Sequence, residues 1–270
     1  MQFRALGSSG LMVPVIGMGT WSTFDVRAEA EIAARRAVVD AALDAGTTLF
    51  DTSPMYGESP RVLARALEGR RERAIVADKI WTSSAREGRE QIRVALERFG
   101  TVDIYQIHNL VAWKEHLPVL EDLRAQGHIG VIGATHYSHG AFRELMRVME
   151  TGRIQMVQIP YHVADRDVED AVLPLAASLG LGVLVMQPLG TGSLIPRAPS
   201  ARELEPFRQF GVTTWAQLLL KWIPSDPRVH AVLPATRSAA HARENAAAGD
   251  MPWLDSESRE RVAAELLRSG

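Results

Sequence analysis

The sequence predicts an α/β fold, a (β/α)8 TIM barrel with an N-terminal β-hairpin and a C-terminal extra helix. Eight short apolar runs rich in β-forming residues recur along the chain, and each is followed by a stretch with helical spacing. From the second run to the seventh, neighbouring starts lie about 25–29 residues apart, which is room for one strand, one helix and two short loops. Alternating strands and helices form parallel sheets. Eight such units in 270 residues suit a closed barrel better than an open sheet.

The elements follow one another in a regular order. Gln2–Leu6 and Leu11–Val15 flank a Gly-Ser-Ser-Gly turn, which predicts a hairpin that could plug one mouth of the barrel. The eight predicted strands are Val15–Met18, Thr47–Phe50, Ala74–Ala77, Val102–Ile107, Ile129–Gly133, Ile154–Ile159, Gly182–Met186 and Val229–Leu233. The helical patterns include Glu29–Leu43, Gly88–Phe99, His116–Gln126 and Ala141–Met149.

Two segments depart from the repeat. Between the seventh and eighth runs the spacing grows to about 47 residues and leaves the Gly- and Pro-rich segment Gln187–Gly211. Loops of this length in a domain are usually functional or disordered. After the eighth unit, Asp255–Arg268 predicts one further helix. Because no linker or short repeat interrupts the pattern, we expect residues 1–270 to form a single domain.

Composition narrows the possible functions. Lys and Arg number 30 and Asp and Glu number 32, a net charge of -2, which argues against a dedicated nucleic-acid or anionic-membrane binder. The chain has no cysteine, which excludes disulfides, thiolate nucleophiles and Cys-ligated metals. No signal-peptide pattern and no run of ~18 apolar residues is evident, so we expect a cytoplasmic protein without a membrane span. No cluster of metal ligands stands out, and we expect no metal.

Four polar side chains follow three neighbouring predicted strands. Asp51 and Tyr56 follow the second strand, Lys79 the third and His108 the fourth, and function in such barrels lies at the carboxyl ends of the strands. A phenol, with a reference pKa of ~10, is a poor acid at neutral pH, but an adjacent ammonium lowers that pKa. The set could protonate a carbonyl oxygen, with a nicotinamide cofactor as the hydride donor.

Several motifs resemble those of the aldo-keto reductase superfamily. They are FDTSPMYG at Phe50–Gly57, KIW at Lys79–Trp81 and DIYQIH at Asp103–His108, and the resemblance extends from Gly17 to Asn245. It implies a (β/α)8 barrel that reduces aldehydes and ketones to alcohols with NADPH, or less often with NADH.

The resemblance also implies roles for individual residues. Tyr56 would be the general acid/base, Lys79 would lower its pKa, Asp51 would pair with Lys79, and His108 would orient the carbonyl. The implied cofactor contacts are Gly19, Thr20, Trp21, Thr135, His136, Gln158, Met186, Gln187, Pro188, Leu189, Gly190, Gly192, Ser193, Leu194, Pro234, Ala235, Thr236, Arg237, His241, Glu244 and Asn245.

This chain departs from the family pattern within the implied cofactor site. Thr135-His136 stands where many members have Ser-Asn, Met186 where many stack a Tyr, and Ala235 where a Lys is common. We expect Arg237 to bind the 2′-phosphate instead, since guanidinium binds phosphate in a bidentate fashion.

The substrate loops are short, so we expect a shallow, open pocket walled by Trp21, Met55, Trp81 and Trp113 and broad reduction of small carbonyl compounds. We expect a monomer or a weak homo-oligomer. Two other functions remain open from the residues. One is a Schiff-base aldolase acting through Lys79, and the other is a cofactor-binding regulatory subunit with little turnover.

Overall fold

Eight parallel strands form a closed barrel in the structure, a computed structural model that describes residues 1–268. A separate antiparallel hairpin, β1 and β2, precedes them. The strands are β1 (Phe3–Ala5), β2 (Met12–Pro14), β3 (Met18–Gly19), β4 (Leu49–Asp51), β5 (Ile75–Ile80), β6 (Val102–His108), β7 (Ile129–Thr135), β8 (Met156–Pro160), β9 (Gly182–Met186) and β10 (Ala231–Val232). Strands β3 to β10 pair in chain order, and parallel bridges Ile16–Val232 and Gly19–Ala235 close the ring. The predicted barrel is therefore confirmed.

Helices cover the outside of the barrel. They are α1 (Glu29–Asp44), α2 (Ser59–Ala66), α3 (Ala85–Phe99), α4 (Trp113–Ala125), α5 (Phe142–Glu150), α6 (Val172–Ser178), α7 (Ala201–Leu204), α8 (Trp215–Trp222), α9 (Ala239–Ala247) and α10 (Ser256–Arg268). Helix α5 illustrates the packing, because Phe142, Leu145, Val148 and Met149 recur at helical spacing and are all buried. In the part of the chain that the structure describes, no helix has the length and hydropathy of a membrane span.

The hairpin closes the amino-terminal mouth of the barrel. Its Leu6 and Val13 are fully buried and belong to the same apolar cluster as the inward-facing strand residues. The amide of Ser8 donates to the carbonyl of Gly180, just before β9. A Cβ on Gly182 would lie 2.5 Å from Leu6, so only glycine admits this close approach. The expected plug is thus present, and the opposite, carboxyl-terminal mouth carries the polar strand ends.

The structure shifts several predicted boundaries. Strands β4, β5, β6 and β7 each continue one to three residues past the predicted apolar runs. The added residues include the buried polar side chains of Asp51, Lys79, His108 and Thr135. The segment Gln187–Gly211 is not one irregular loop, since it contains α7. A reciprocal capping box between Ser200 and Glu203 starts this short helix.

Candidate active site

A buried ion pair joins the ends of β4 and β5. Lys79 Nζ donates to Asp51 Oδ1 at 2.7 Å and Oδ2 at 2.6 Å, and to the carbonyl of Thr52 at 2.8 Å. Both side chains are almost inaccessible to solvent. Burial alone would lower the pKa of Lys79, but the charge of Asp51 and the neighbouring Tyr56 raise it. Lys79 is therefore held as an ammonium, which argues against an amine nucleophile that forms a Schiff base.

Tyr56 lies above this pair on a tight 3₁₀ turn, residues Pro54–Tyr56, directly after β4. Lys79 Nζ lies 5.0 Å from the centroid of its ring. Burial raises the pKa of Tyr56, whereas the charge of Lys79 lowers it, and the net pKa is raised. The lysine acts in the expected direction, but desolvation of the phenolate outweighs it. Tyr56 is accordingly a protonated phenol at neutral pH.

His108 ends β6 and faces the edge of Tyr56. The two ring centroids are 5.7 Å apart and the planes are almost perpendicular, at 89°. His108 Nδ1 lies 2.8 Å from the hydroxyl of Ser53. Burial, together with the charge of Lys79, lowers the pKa of His108 to about 3. The imidazole is neutral at physiological pH and can donate one hydrogen bond without carrying a charge.

Two buried polar atoms at the next strand ends lack partners. Thr135 ends β7 and is paired in register with both His108 and Gln158 of β8. Among the described residues, Thr135 Oγ1 and Gln158 Oε1 have no hydrogen-bond partner. Buried polar groups are rarely left unpaired, because an unmade hydrogen bond costs about 1–3 kcal/mol. A primary carboxamide, which offers two N–H donors and one acceptor, matches these two atoms, so the residues fit the nicotinamide implied by the sequence.

Several of the remaining implied cofactor residues lie at or just after strand ends of the same mouth. Gly19, Thr20 and Met186 belong to or follow the strand ends, and the hydroxyl of Thr20 donates to the carbonyl of Asp51. His136 is already engaged, because its Nδ1 accepts from the amide of Ser138. Apart from Trp21, the others form two groups. The first lies in the loop after β9 and includes two positive-φ glycines, and the second runs from the loop after β10 into α9. These groups are Gln187, Pro188, Leu189, Gly190, Gly192, Ser193 and Leu194, and Pro234, Ala235, Thr236, Arg237, His241, Glu244 and Asn245.

The second group leads into α9 and is partly accessible. Ser238 caps α9 by accepting from the amide of His241. Arg237 and His241 are exposed, whereas Asn245 is buried. Glu244 accepts a hydrogen bond from the hydroxyl of Thr214 at 2.6 Å, so its carboxylate is fixed against the start of α8. An exposed guanidinium at the start of a helix is suited to bind a phosphate.

Three of the four predicted pocket residues present open apolar surface. Trp21, Met55 and Trp81 are 51%, 41% and 41% exposed. Trp113 differs, since it is partly buried at the start of α4 and donates to Glu144 of α5 at 3.1 Å. The backbone of Trp81 is fixed by Gln91, whose amide group both accepts from its N–H and donates to its carbonyl.

Sequence reasoning missed three buried polar residues next to the predicted four. Ser53 contacts His108, and Gln106 Nε2 donates to Asp51 Oδ1 at 3.2 Å. Asp78 precedes Lys79 on β5 but points to the other side of the strand, and burial raises its pKa to about 7. A serine immediately before a proline is a known capping signal. Nothing in the sequence pattern indicates the partners of Gln106 and Asp78.

One further group of possible metal ligands lies outside this site. His139 Nε2 is 2.9 Å from Asp165 Oδ2, and His139 Nδ1 is 3.2 Å from Asp167 Oδ2. One ligand atom of each of the three residues lies within 4.8 Å of the other two, and His139 and Asp167 are exposed.

A family match and two relatives agree on the type of protein that this chain resembles. Residues 15–265 match the Aldo/keto reductase family. Methylglyoxal reductase YeaE of Escherichia coli (strain K12) is 28% identical over 260 residues, which are 92% of this chain and 89% of the relative. An NADH-specific methylglyoxal reductase of the same strain is 26% identical over 275 residues, 85% of this chain and 82% of the relative.

Solved structures agree in fold. The aldo/keto reductase from Klebsiella pneumoniae in complex with NADP and acetate matches with a TM-score of 0.81 and 26% identity, and the match covers 99% of this chain and 95% of the other.

Proposed function

Because the chain belongs to the aldo/keto reductase family, we propose that it is a carbonyl reductase that uses NADPH to convert small aldehydes and ketones to alcohols. The observation that carries this proposal is the buried Lys79–Asp51 pair beneath the ring of Tyr56, with neutral His108 at its edge. A charged lysine fixed under a phenol favours loss of the phenolic proton at the moment when a substrate oxygen can receive it.

Each of the four side chains has a separate task in this proposal. His108 donates a hydrogen bond to the carbonyl oxygen of the substrate and orients it, and Tyr56 gives that oxygen its proton. NADPH, when bound, supplies the hydride to the carbonyl carbon. Lys79 stabilises the phenolate that Tyr56 becomes, and Asp51 keeps Lys79 charged. Positioned proton transfer of this type contributes about 10²–10⁴-fold to the rate.

We propose that the nicotinamide carboxamide binds Thr135 and Gln158. Their unpaired buried oxygens support this assignment. The loop after β9 would cover the pyrophosphate, and the residues after β10 and on α9 would bind the adenosine. Met186 would pack against the nicotinamide ring, a contact that a thioether makes readily.

We propose that exposed Arg237 binds the 2′-phosphate and sets a preference for NADPH. In Arg237→Ala, we expect the Kd for NADPH to rise about 10–100-fold, since hydrogen bonds to charged groups contribute about 1.5–3 kcal/mol. The Kd for NADH should change by less than about 2-fold, and exposed Arg86 on α3, replaced by Ala, is the matched control. An equal loss for both cofactors would contradict a phosphate-binding role.

Reactive dicarbonyl compounds and short aldehydes are the proposed substrates. Two relatives carry the name methylglyoxal reductase, and the apolar surface of Trp21, Met55 and Trp81 is open to solvent. We further propose a cytoplasmic monomer or weak homo-oligomer in which residues 1–270 form one domain.

The test of this function is the oxidation of NADPH by purified protein with methylglyoxal, other dicarbonyls, aliphatic and aromatic aldehydes and simple ketones. We expect turnover with several members of the panel. Tight binding of NADPH without turnover on any of them would instead favour a cofactor-binding regulatory subunit. Strong selectivity for one compound would contradict the open pocket.

A further inference from the structure

Ser53 connects the turn that carries Tyr56 with the ring of His108. It is fully buried and lies two residues after the end of β4. Its hydroxyl oxygen accepts from the amide of Met55 at 3.2 Å, and its carbonyl accepts from the amide of Tyr56 at 2.9 Å. The same hydroxyl lies 2.8 Å from Nδ1 of His108. One short side chain therefore caps the turn of the phenol and contacts the imidazole.

The proton of the Ser53 hydroxyl has one evident acceptor. The oxygen already accepts from Met55, so the O–H is left to donate. In one arrangement it donates to His108 Nδ1, and every polar group in the contact is then paired. In the other, Nδ1–H donates to the oxygen, and a buried hydroxyl proton is left without a partner. An unpaired buried donor costs about 1–3 kcal/mol, so the first arrangement is favoured.

The consequence for His108 follows from the count of ring protons. A neutral imidazole carries a single N–H. If Nδ1 accepts from Ser53, the proton must be on Nε2. Within residues 1–268, the His108 ring makes its one hydrogen bond through Nδ1, so Nε2 is free to donate to a ligand. The edge-to-face arrangement of His108 and Tyr56 brings the two candidate donors to the same part of the mouth.

We propose that Ser53 is a positioning residue that fixes His108 as the Nε2–H tautomer and holds that ring in register with Tyr56. This inference rests on the proposed carbonyl reduction for its functional meaning, but the tautomer itself is a property of the free protein. Without the hydroxyl, Nδ1 would face an apolar methyl group, and the ring would be released to the competing tautomer and to other rotamers.

The test is nuclear magnetic resonance of protein labelled with ¹⁵N at histidine, in long-range proton–nitrogen spectra that distinguish protonated from unprotonated ring nitrogens. We expect native His108 to show a protonated Nε2 and an unprotonated Nδ1. In Ser53→Ala a mixture of tautomers should appear, and Ser53→Thr, which keeps the hydroxyl, should restore the single form. Ser59→Ala is the matched control, because Ser59 is equally buried and close in sequence but bonds to the carbonyl of Thr20.

Steady-state kinetics give the second readout. For Ser53→Ala we expect kcat to fall about 10-fold, the effect of losing one oriented hydrogen bond, while KM changes by less than about 3-fold. Ser53→Thr should recover most of kcat. A role confined to capping the turn would lower stability but leave the tautomer of His108 unchanged.

The two proposals fail in different ways. A native His108 with its proton on Nδ1, or an unchanged single tautomer in Ser53→Ala, would overturn the role of Ser53 even if the enzyme reduces carbonyls. If Ser53→Ala fails to fold, a native proton on Nδ1 still overturns the proposal, and a native Nε2–H tautomer that is kept in Ser53→Thr supports it. A native Nε2–H tautomer that depends on Ser53, in a protein without turnover on any carbonyl, would support the positioning role and reject the proposed reaction.

Discussion

Replacement of Lys79 by Met tests how much the buried ion pair with Asp51 contributes to the stability of the fold. The ammonium makes three hydrogen bonds of 2.6–2.8 Å, two of them to Asp51. Met is similar in length and packs in apolar sites, so the substitution removes the charge with little change in volume. The carboxylate of Asp51 is then left 4% exposed, with the 3.2 Å hydrogen bond from Gln106 as its remaining side-chain donor among the described residues.

The expected loss of stability follows from the geometry. At 2.7 Å and an effective dielectric constant of about 20, the attraction between Lys79 and Asp51 is about 6 kcal/mol. Desolvation of the two ions offsets much of this, so the pair as a whole contributes little to folding. Removing one partner, however, leaves an uncompensated buried charge, which costs about 3–5 kcal/mol. We therefore expect Lys79→Met to lose about 3–5 kcal/mol and Asp51→Asn/Lys79→Met to recover at least half of it.

Urea unfolding at pH 7, with midpoint and slope fitted separately, measures these differences. Arg93→Met is the matched control, since its ion pair with Glu90 is more than half exposed on both sides and should contribute less than about 1 kcal/mol. A loss below about 1 kcal/mol for Lys79→Met would refute the reasoning. A double variant no more stable than the single one would refute it equally.

Two further predictions concern stability elsewhere in the barrel. Burial raises the pKa of Asp78 to about 7. The stability that the protonated carboxyl contributes is therefore fully present below the ordinary pKa of 3.8 and is lost as the pH rises through 7. In urea unfolding, Asp78→Asn should thus gain up to about 3–4 kcal/mol at pH 8 and little at pH 4, and an equal gain at both would contradict the burial effect. Gly7→Ala should destabilise strongly, by more than about 3 kcal/mol in thermal or urea unfolding, because its Cβ would lie 2.3 Å from backbone of β9. Gly10→Ala, with positive φ but open space, should lose only about 1 kcal/mol, so similar losses for the two glycines would argue against the plug.

The sequence is informative about the fold wherever a local pattern reflects burial. The apolar runs predict all eight barrel strands, because parallel strands are buried on both faces and therefore read as continuous apolar segments. The same criterion ends β4 and β6 too early, since Asp51 and His108 are polar yet lie inside the mouth. The short helix α7 was missed because its capping box lies within a segment rich in Gly and Pro.

The residues of the candidate site also divide into those that the sequence predicts and those that it does not. Tyr56, Lys79, Asp51 and His108 could be predicted because they lie at or shortly after the ends of recognisable apolar runs and within motifs that resemble those of a known family. Ser53, Gln106 and Asp78 could not, because their roles depend on contacts with other strands or on which side of a strand they occupy.

The pKa of Tyr56 also depends on the tertiary structure. From residue types alone, the nearby ammonium of Lys79 predicts a lowered pKa. In the folded chain, desolvation of the phenolate is the larger effect, and the pKa is raised. A raised pKa suits a proton donor in carbonyl reduction, whereas the reverse reaction would need the phenolate and should therefore be favoured at high pH.

The most direct test of the central claim is the turnover of Tyr56→Phe with NADPH and methylglyoxal, with the Kd for NADPH measured on the same preparations. We expect kcat to fall about 10²–10⁴-fold while the Kd changes by less than about 2-fold. Tyr105→Phe is the control, because its buried hydroxyl has no partner among the described residues and its loss should leave turnover intact. Undiminished turnover in Tyr56→Phe would contradict the account, because the proton would then reach the substrate oxygen from another group.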